Sequence, residues 1–364
     1  MFFGACLFGT DRPSSCEDIP RANGSQERSH TSSRDDIDGL MNHPSQNSLV
    51  IHGGAGVLIE EDMSAEQRKT YVAALRNALL SGFGALRAGG TSLEATETAV
   101  RVLEDCPLFN AGKGAVFSRD GENVCEASIM DGRTHAAGAV TLLRTVKNPI
   151  SLARVVKDEV PHVFIAATEA EAFAAKAGLD IVDPSYFYTE HRWKQHLGEF
   201  STPDVLSKDQ EGDDVPPSYW VDPYPRGTVG ACAVDIRGDL AAATSTGGMN
   251  NKWSSRIGDT PMISCGTYAE NKVAAVSGTG NGEFFIRYAV AHDIIARMKY
   301  GKVSLAEAAD ATIHDTMKNA GGDGGVVAVD AQGKVAMPYN TSGMFRGFIK
   351  DDGVPHVAIW DEWY

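Results

Sequence analysis

The stretch Gly227–Thr246, which reads GTVGACAVDIRGDLAAATST, contains two runs of small apolar residues separated by a short polar gap. Runs of this kind, bounded by turn residues, are typical of buried strands. Gly238 supplies the positive φ angle that the last position of a three-residue hairpin loop requires. If Ile236–Gly238 form that loop, the register of the hairpin places Thr228 directly opposite Thr246. Their Cβ atoms are then about 4.5–5.5 Å apart.

A threonine hydroxyl is a poor nucleophile unless a base lies beside it. The α-amino group of the same residue is such a base, but it exists only if the chain is cut before Thr228. Facing threonines are common on ordinary strands, so the pairing with Thr246 alone favours a structural role. The preceding segment, residues 183–227, is polar and rich in Asp, Pro, Tyr and Gly. A long exposed connection of this type suits a cleavage site, and we predict self-cleavage between Gly227 and Thr228.

Two charged residues follow the hairpin closely. Arg256 carries a planar fork that binds a carboxylate through two parallel hydrogen bonds, and Asp259 can bind an ammonium group. Together they match the two charged groups on the α-carbon of an amino acid. The alternative is an ordinary surface ion pair, which contributes little to stability.

A glycine-rich loop, Ser277–Glu283 (SGTGNGE), comes before an amphipathic run. Alternating glycines bring backbone N–H groups close to a ligand, and a helix N-terminus adds the positive end of its dipole. The loop is therefore a candidate oxyanion hole. The dinucleotide-binding pattern is incomplete, because Glu283 stands where its third glycine would be.

From about Leu49 to the C-terminus, the chain resembles the plant-type L-asparaginases. These enzymes are also called isoaspartyl peptidases or β-aspartyl-peptidases, and they belong to the N-terminal nucleophile (Ntn) hydrolase superfamily. Seven matching stretches occur in the right order: His52–Gly56 (HGGAG), Pro107–Gly112 (PLFNAG), Ala127–Gly132 (ASIMDG), Gly227–Ala231 (GTVGA), Ala243–Gly248 (ATSTGG), Arg256–Pro261 (RIGDTP) and Thr279–Glu283 (TGNGE). Several long matches in order are more specific than any single glycine motif.

The resemblance implies catalytic roles for five residues, of which three concern the nucleophile itself. Thr228 is the nucleophile that becomes N-terminal after cleavage at Gly227. Thr246 carries the hydroxyl that orients this nucleophile, and Asn110 contacts it.

The resemblance also implies the substrate contacts. Arg256 binds the substrate α-carboxylate, and Asp259 binds its α-amine. Thr279 and Gly280 form the oxyanion hole, and Gly282 lines the amine end of the site.

No organic cofactor is expected. A structural sodium ion is implied, held by the backbone carbonyls of a loop made of Leu103, Glu104, Cys106, Phe109, Ala111 and Lys113. Because carbonyl ligands leave the side chains free to vary, Lys113 is compatible with that loop. His52 adjoins the first glycine motif, where it could line the site or stabilise a turn.

The expected fold class is α+β, a four-layer αββα sandwich of antiparallel sheets flanked by helices. Residues 1–47 are rich in Ser, Asp, Arg, Asn and Pro and are predicted to form a disordered tail. Residues 48–227 would form the α fragment, with residues 183–227 as its polar linker, and residues 228–364 the β fragment. By resemblance, the fragments stay associated and form a dimer of αβ units.

Composition favours a globular enzyme acting on small molecules. The net charge of −15 argues against nucleic acid and against anionic membrane surfaces. The chain has no apolar run of about 18 residues that would predict a membrane span. Its six cysteines form no C-x-x-C pair, which is typical of free thiols in a reducing compartment. We therefore expect a cytoplasmic protein.

The expected activity is hydrolysis of β-aspartyl dipeptides and L-asparagine to release L-aspartate. Asn281 is shared with many glycosylasparaginases, so a hydrolase of that type is one alternative. A relative that binds amino acids without cleaving itself and a nucleotide-binding module are others. Only the hydrolases should yield two fragments on a denaturing gel.

Overall fold

The structure, a computed structural model, describes residues 47–198 and 227–364. The predicted tail up to residue 46 and the linker residues 199–226 lie outside the described residues. The helices are Ala65–Arg87 (α1), Ser92–Glu104 (α2), Pro149–Glu159 (α3), Ala167–Lys176 (α4), Glu190–His196 (α5), Gly282–Tyr288 (α6), Val290–Gly301 (α7) and Leu305–Asp310 (α8). The strands are Ser48–Gly56 (β1), Cys125–Asp131 (β2), Ala137–Leu143 (β3), Phe164–Ala166 (β4), Val229–Val234 (β5), Leu240–Thr246 (β6), Thr267–Glu270 (β7), Ala274–Gly280 (β8), Gly324–Asp330 (β9), Val335–Ala336 (β10), Gly343–Lys350 (β11) and His356–Ala358 (β12).

The strands form two sheets, so the predicted mixed architecture of sheets and helices is confirmed. The larger sheet has eight strands in the order β12-β11-β1-β5-β6-β2-β3-β4, and the smaller has four in the order β10-β9-β8-β7. All pairs between these strands are antiparallel except β3 with β4, which is parallel.

Three buried apolar clusters hold the elements together. The first joins α1, α2 and α3 to the larger sheet, with Leu79 and Phe83 at its centre. The second joins α7 and α8 to the smaller sheet around Ile294. The third lies between the sheets, where Val50 from the larger meets Val327 from the smaller. Burial of apolar area on this scale is the main stabilising contribution in the fold.

The predicted hairpin forms with the predicted register. Val229 pairs with Ser245 and Gly230 with Thr244. Gly238 has a φ of +82°, and its N–H donates to the carbonyl of Asp235 at 2.8 Å. The first strand ends at Val234, two residues before the predicted end.

The patterns Ser64–Gln67 (SAEQ) and Ser304–Glu307 (SLAE) predict capping boxes at two helix starts, and α1 and α8 begin there. Ser64 and Ser304 each accept a hydrogen bond from the N3 backbone and form complete capping boxes. The amphipathic run that follows the glycine-rich loop predicts a single helix from Glu283 to Tyr300. That prediction is wrong, because the chain breaks at Ala289, whose φ is +47°. There, the N–H groups of Ala291 and His292 donate to the carbonyls of Cys265 and Ser264 instead of continuing the helix.

Two further expectations differ from the structure. The apolar run Leu49–Ile51 predicts a strand that ends at His52–Gly54, but β1 continues to Gly56 through a bulge, with Gly54 at a φ of +118°. The start of the polar connection is also more ordered than expected. It contains α5, whose Arg192 is buried and donates to the carbonyl of Gly114 at 2.8 Å.

Within residues 47–198 and 227–364, no helix has both the length and the apolar character needed to cross a membrane.

Candidate active site

The two threonines of the hairpin meet at one end of the larger sheet. Thr228 precedes β5 and Thr246 ends β6, and the Thr228 hydroxyl donates to the Thr246 hydroxyl at 3.2 Å. The Thr246 hydroxyl in turn donates to the carbonyl oxygen of Gly227 at 3.3 Å and accepts the Gly248 N–H at 3.0 Å. The hydroxyl that would attack is therefore linked, through one other hydroxyl, to the carbonyl that would be attacked.

Asn110 packs directly against the predicted cleavage site. A Cβ atom added at Gly227 would lie 3.0 Å from the Asn110 Cβ atom, so the close approach favours glycine. The Asn110 Nδ2 donates to the Gly248 carbonyl at 2.7 Å, and its Oδ1 accepts the Val116 N–H at 2.9 Å. Both ends of the amide are thus engaged, and Asn110 joins the segment that carries Val116 to the segment that carries Gly248.

A small cavity opens beside Thr228. Its lining includes six of the residues predicted for cleavage, catalysis or substrate binding, Gly227, Thr228, Thr246, Arg256, Asp259 and Gly280. Glu126, Gly248 and Met249 complete the lining.

Arg256 is held by a residue whose role the sequence did not reveal. Its Nε and Nη2 donate to the two carboxylate oxygens of Glu283 at 3.0 and 2.9 Å. A bidentate pair of this kind fixes the plane of the guanidinium. Glu283 is the last residue of the glycine-rich stretch Thr279–Glu283. The sequence showed only that an acidic residue stands there in place of a third glycine, and this does not predict a contact with Arg256.

Asp259 is buried, and its Oδ2 has no hydrogen-bond partner among the described residues. Burial raises the pKa of this carboxyl to about 7, although the nearby Arg256 charge acts in the opposite direction. A buried carboxylate without a full set of partners is costly, and a bound ammonium group would relieve that cost. Gly282 completes this corner, because a Cβ atom there would lie 2.7 Å from both Arg256 Nη2 and Asp259 Oδ1.

The predicted oxyanion hole lies at the end of β8. Gly280 has a φ of +146°, and a Cβ atom there would lie 2.4 Å from the Gly324 Cα atom, so only glycine fits. The Thr279 hydroxyl accepts the Ala55 N–H at 3.1 Å, which leaves its own proton to donate. Gly280 lines the cavity, whereas Thr279 is not among the lining residues.

Two further buried residues lie near the site; sequence reasoning assigned no role to Glu126 and left two alternatives for His52. Glu126 is paired with Thr246 across the strands, and its carboxylate accepts the Gly258 N–H at 3.1 Å, which supports the turn carrying Arg256. His52 contacts the nucleophile residue itself, since its Nδ1 lies 2.8 Å from the Thr228 carbonyl oxygen. Neither has a spacing signal in the sequence, because β1, β2 and β5 meet only in the folded sheet.

The loop predicted to hold sodium, from Leu103 to Lys113, is tightly folded. Lys113 points its charge elsewhere, with Nζ 4.8 Å from the centre of the Tyr186 ring. A Cβ atom at Gly112 would lie 2.4 Å from the Glu104 carbonyl oxygen, and one at Gly114 would lie 2.0 Å from the Phe109 carbonyl oxygen. The loop is therefore folded tightly with carbonyls facing its glycines, a donor type that suits a hard cation.

These features fit one class of protein, the self-processing hydrolases with a threonine nucleophile. The sequence profile of the asparaginase family matches residues 45–359. The chain is 43% identical over 317 residues to an isoaspartyl peptidase of Escherichia coli (strain K12), covering 86% of this chain and 96% of that protein. It is 43% identical over 314 residues to an isoaspartyl peptidase of Salmonella typhimurium, covering 86% of this chain and 98% of that protein. It is 40% identical over 315 residues to an isoaspartyl peptidase/L-asparaginase of Xenopus laevis, covering 86% and 94%.

The chain therefore belongs to the asparaginase family of isoaspartyl peptidases and L-asparaginases, within the Ntn hydrolases.

Proposed function

We propose that this protein cuts itself between Gly227 and Thr228 and then hydrolyses β-aspartyl dipeptides and L-asparagine, releasing L-aspartate. The observation that carries the proposal is the shared cavity of Thr228, Thr246, Arg256 and Asp259. A threonine hydroxyl in the same cavity as a pair of charges that fit a free α-carboxylate and α-amine supports this reaction. Relatives named isoaspartyl peptidase and L-asparaginase support the substrate class.

Self-cleavage begins in the unbroken chain. The Thr228 hydroxyl attacks the carbonyl carbon of Gly227, the Gly227–Thr228 amide becomes an ester, and water then hydrolyses the ester. The Thr246 hydroxyl, 3.3 Å from the Gly227 carbonyl oxygen, can donate to that oxygen as negative charge develops on it.

Substrate hydrolysis then uses the new N-terminus. The α-amine of Thr228, with a reference pKa of ~7.7–8.0, accepts the hydroxyl proton. The Thr228 oxygen attacks the side-chain carbonyl of the β-aspartyl group, while Thr279 and Gly280 stabilise the oxyanion. Ammonia or a peptide amine leaves, and water releases aspartate from the enzyme.

The two fragments are expected to stay together after the cut. In the larger sheet, β1 of the first fragment lies between β11 and β5 of the second, and β6 of the second fragment pairs with β2 of the first. Separating them would break these ladders and expose the core. The same two sheets, with helices packed on each, support the four-layer αββα arrangement of the family.

Three finer features remain part of the proposal. The carbonyl-rich loop from Leu103 to Lys113 would hold a sodium ion and so brace Asn110. The αβ units would form dimers, which light scattering can measure. The protein would be cytoplasmic, in keeping with the unpaired Cys106, Cys125, Cys232 and Cys265 in the described part of the chain.

The first test is mass spectrometry of the purified protein after incubation. We expect fragments 1–227 and 228–364, with a new threonine N-terminus. The mature protein should release aspartate from β-aspartyl dipeptides and from L-asparagine. An intact chain after long incubation, or a cut elsewhere, would contradict the proposal; cleavage only of N-glycosylated asparagine would favour the glycosylasparaginase alternative.

Replacing Asp259 by asparagine should separate stability from activity. The folded pKa, about 7, lies above the usual aspartate value, so the folded state holds the proton more tightly than the unfolded state. Protonated Asp259 therefore contributes its full stabilising free energy below about pH 4, and this stabilisation is lost as the pH rises through 7. At pH 8, Asp259→Asn should therefore raise the free energy of unfolding by roughly 1–2 kcal/mol while nearly abolishing turnover.

Chemical denaturation at pH 5 and pH 8 checks this prediction. The increase in the free energy of unfolding caused by Asp259→Asn should be larger at pH 8 than at pH 5. Asp352→Asn, a substitution at an exposed site, is the control. A variant that is less stable than wild type at pH 8 would mean that Asp259 is not strained by burial.

A further inference from the structure

His52 occupies a space made for it between the two sheets. It is fully buried on β1 and pairs with Gly230 of β5. A Cβ atom at Gly230 would lie 2.4 Å from His52 Nε2 and 2.0 Å from the Ser277 hydroxyl. The glycine two residues after the nucleophile therefore leaves room for an imidazole and its partner.

The hydrogen bonds of His52 define its tautomer. Its Nδ1 lies 2.8 Å from the Thr228 carbonyl oxygen, which can only accept, so Nδ1 carries the proton. Burial lowers the pKa of His52 to about 3, so the ring is neutral at working pH and Nε2 is an acceptor. The Ser277 hydroxyl, 2.9 Å away, therefore donates to Nε2.

The chain of hydroxyls continues behind Ser277. Since the Ser277 proton is committed to His52, the Thr244 hydroxyl donates to Ser277 at 2.7 Å, and the Thr267 hydroxyl donates to Thr244 at 2.5 Å. All three hydroxyl residues are fully buried. Because each hydroxyl has one proton to donate, the hydrogen bonds run in one direction, from Thr267 through Thr244 and Ser277 to His52. The last of them is donated by His52 to the carbonyl of Thr228.

We propose that His52 is a positioning residue that holds the Thr228 carbonyl through Nδ1–H, with the Ser277–Thr244–Thr267 hydroxyl chain locking its tautomer. The inference rests on the proposed function. After the cut, Thr228 loses its covalent restraint to Gly227. It is then held by the strand pairing of Val229 with Ser245, by Thr246 on its hydroxyl and by His52 on its carbonyl. Holding the carbonyl restricts rotation of the residue and keeps the α-amine beside the hydroxyl that it deprotonates.

Two amide variants separate the two nitrogens of His52. Asparagine places its N–H₂ group near the position of Nδ1, whereas glutamine extends to the position of Nε2. We expect His52→Gln to lower kcat about a hundredfold at nearly unchanged KM, because the nucleophile is misplaced while Arg256 and Asp259 are untouched. The kcat of His52→Asn should be about tenfold higher than that of His52→Gln.

The kinetic test uses mature enzyme, with cleavage verified by mass spectrometry and a β-aspartyl dipeptide as substrate. His314→Gln, at an outlying histidine bonded to Asp310 and the Tyr339 carbonyl, is the matched control and should behave as wild type. Equal kcat for the two His52 variants, or a change mainly in KM, would overturn the positioning role. Inactivity of wild-type protein would instead contradict the proposed function.

A second measurement does not depend on the fold of any His52 variant. In ¹⁵N-histidine-labelled Thr228→Ala protein, whose chain stays unbroken, His52 should show a protonated Nδ1 and an unprotonated Nε2 that do not titrate between about pH 5 and 9. The His52→Asn change in the same background assigns the signal. A protonated Nε2, or a ring that titrates in this range, would overturn the inference.

Discussion

Replacement of Thr246 by valine is expected to lower kcat about a hundredfold and to slow self-cleavage by a similar factor. Valine keeps the shape and the strand preference of threonine but removes the hydroxyl that contacts the Thr228 hydroxyl at 3.2 Å and the Gly227 carbonyl at 3.3 Å. The free energy of unfolding should fall by only about 2 kcal/mol, since the hydrogen bonds of this hydroxyl with Thr228, Gly227 and Gly248 are lost while the packing of the side chain is kept. Timed mass spectrometry, steady-state kinetics and thermal melting measure the three effects.

Thr96→Val is the matched control for this substitution. Thr96 is also fully buried, but its hydroxyl bonds only to the Leu93 carbonyl within α2. We expect normal cleavage and normal turnover. Thr244 is unsuitable as a control, because its hydroxyl belongs to the chain behind His52. Normal turnover in Thr246→Val would mean that the facing hydroxyl has no part in either reaction.

Replacement of Arg256 by lysine is expected to lower kcat/KM about a hundredfold, mainly through KM. A lysine ammonium is a point charge and cannot bind Glu283 and a substrate carboxylate with the same planar geometry. Glu283→Gln keeps the size of the partner but weakens the pair, so a smaller loss of about tenfold is expected. Both losses are measured from initial rates on a β-aspartyl dipeptide.

The substrate itself supplies the control for Arg256. With an α-amidated dipeptide, which lacks the carboxylate, wild-type turnover should already be poor, and Arg256→Lys should cause little further loss. An equal loss on both substrates would show that Arg256 acts through the fold and not by binding the carboxylate.

The hairpin could be predicted closely from sequence because its information is local. Two short apolar runs joined by a loop ending in Gly238 fix the register, and the register fixes which side chains face each other. The capping boxes at Ser64 and Ser304 were predictable for the same reason. The break at Ala289 was not, because the carbonyls of Ser264 and Cys265 that cause it come from a distant loop.

The sequence by itself predicted the nucleophile, the site of the cut and the pair of charges proposed to recognise an amino acid, since each lies in a short motif with its own chemistry. Only the tertiary structure decided which residues position Thr228 and Arg256. Glu283 orients Arg256, Glu126 supports its turn and His52 contacts the Thr228 carbonyl, the last two across strands distant in sequence. The physical reason is that a buried polar group needs a hydrogen-bond partner, and folding of the sheets decides which residue is close enough to be that partner. No local sequence pattern predicts such a contact.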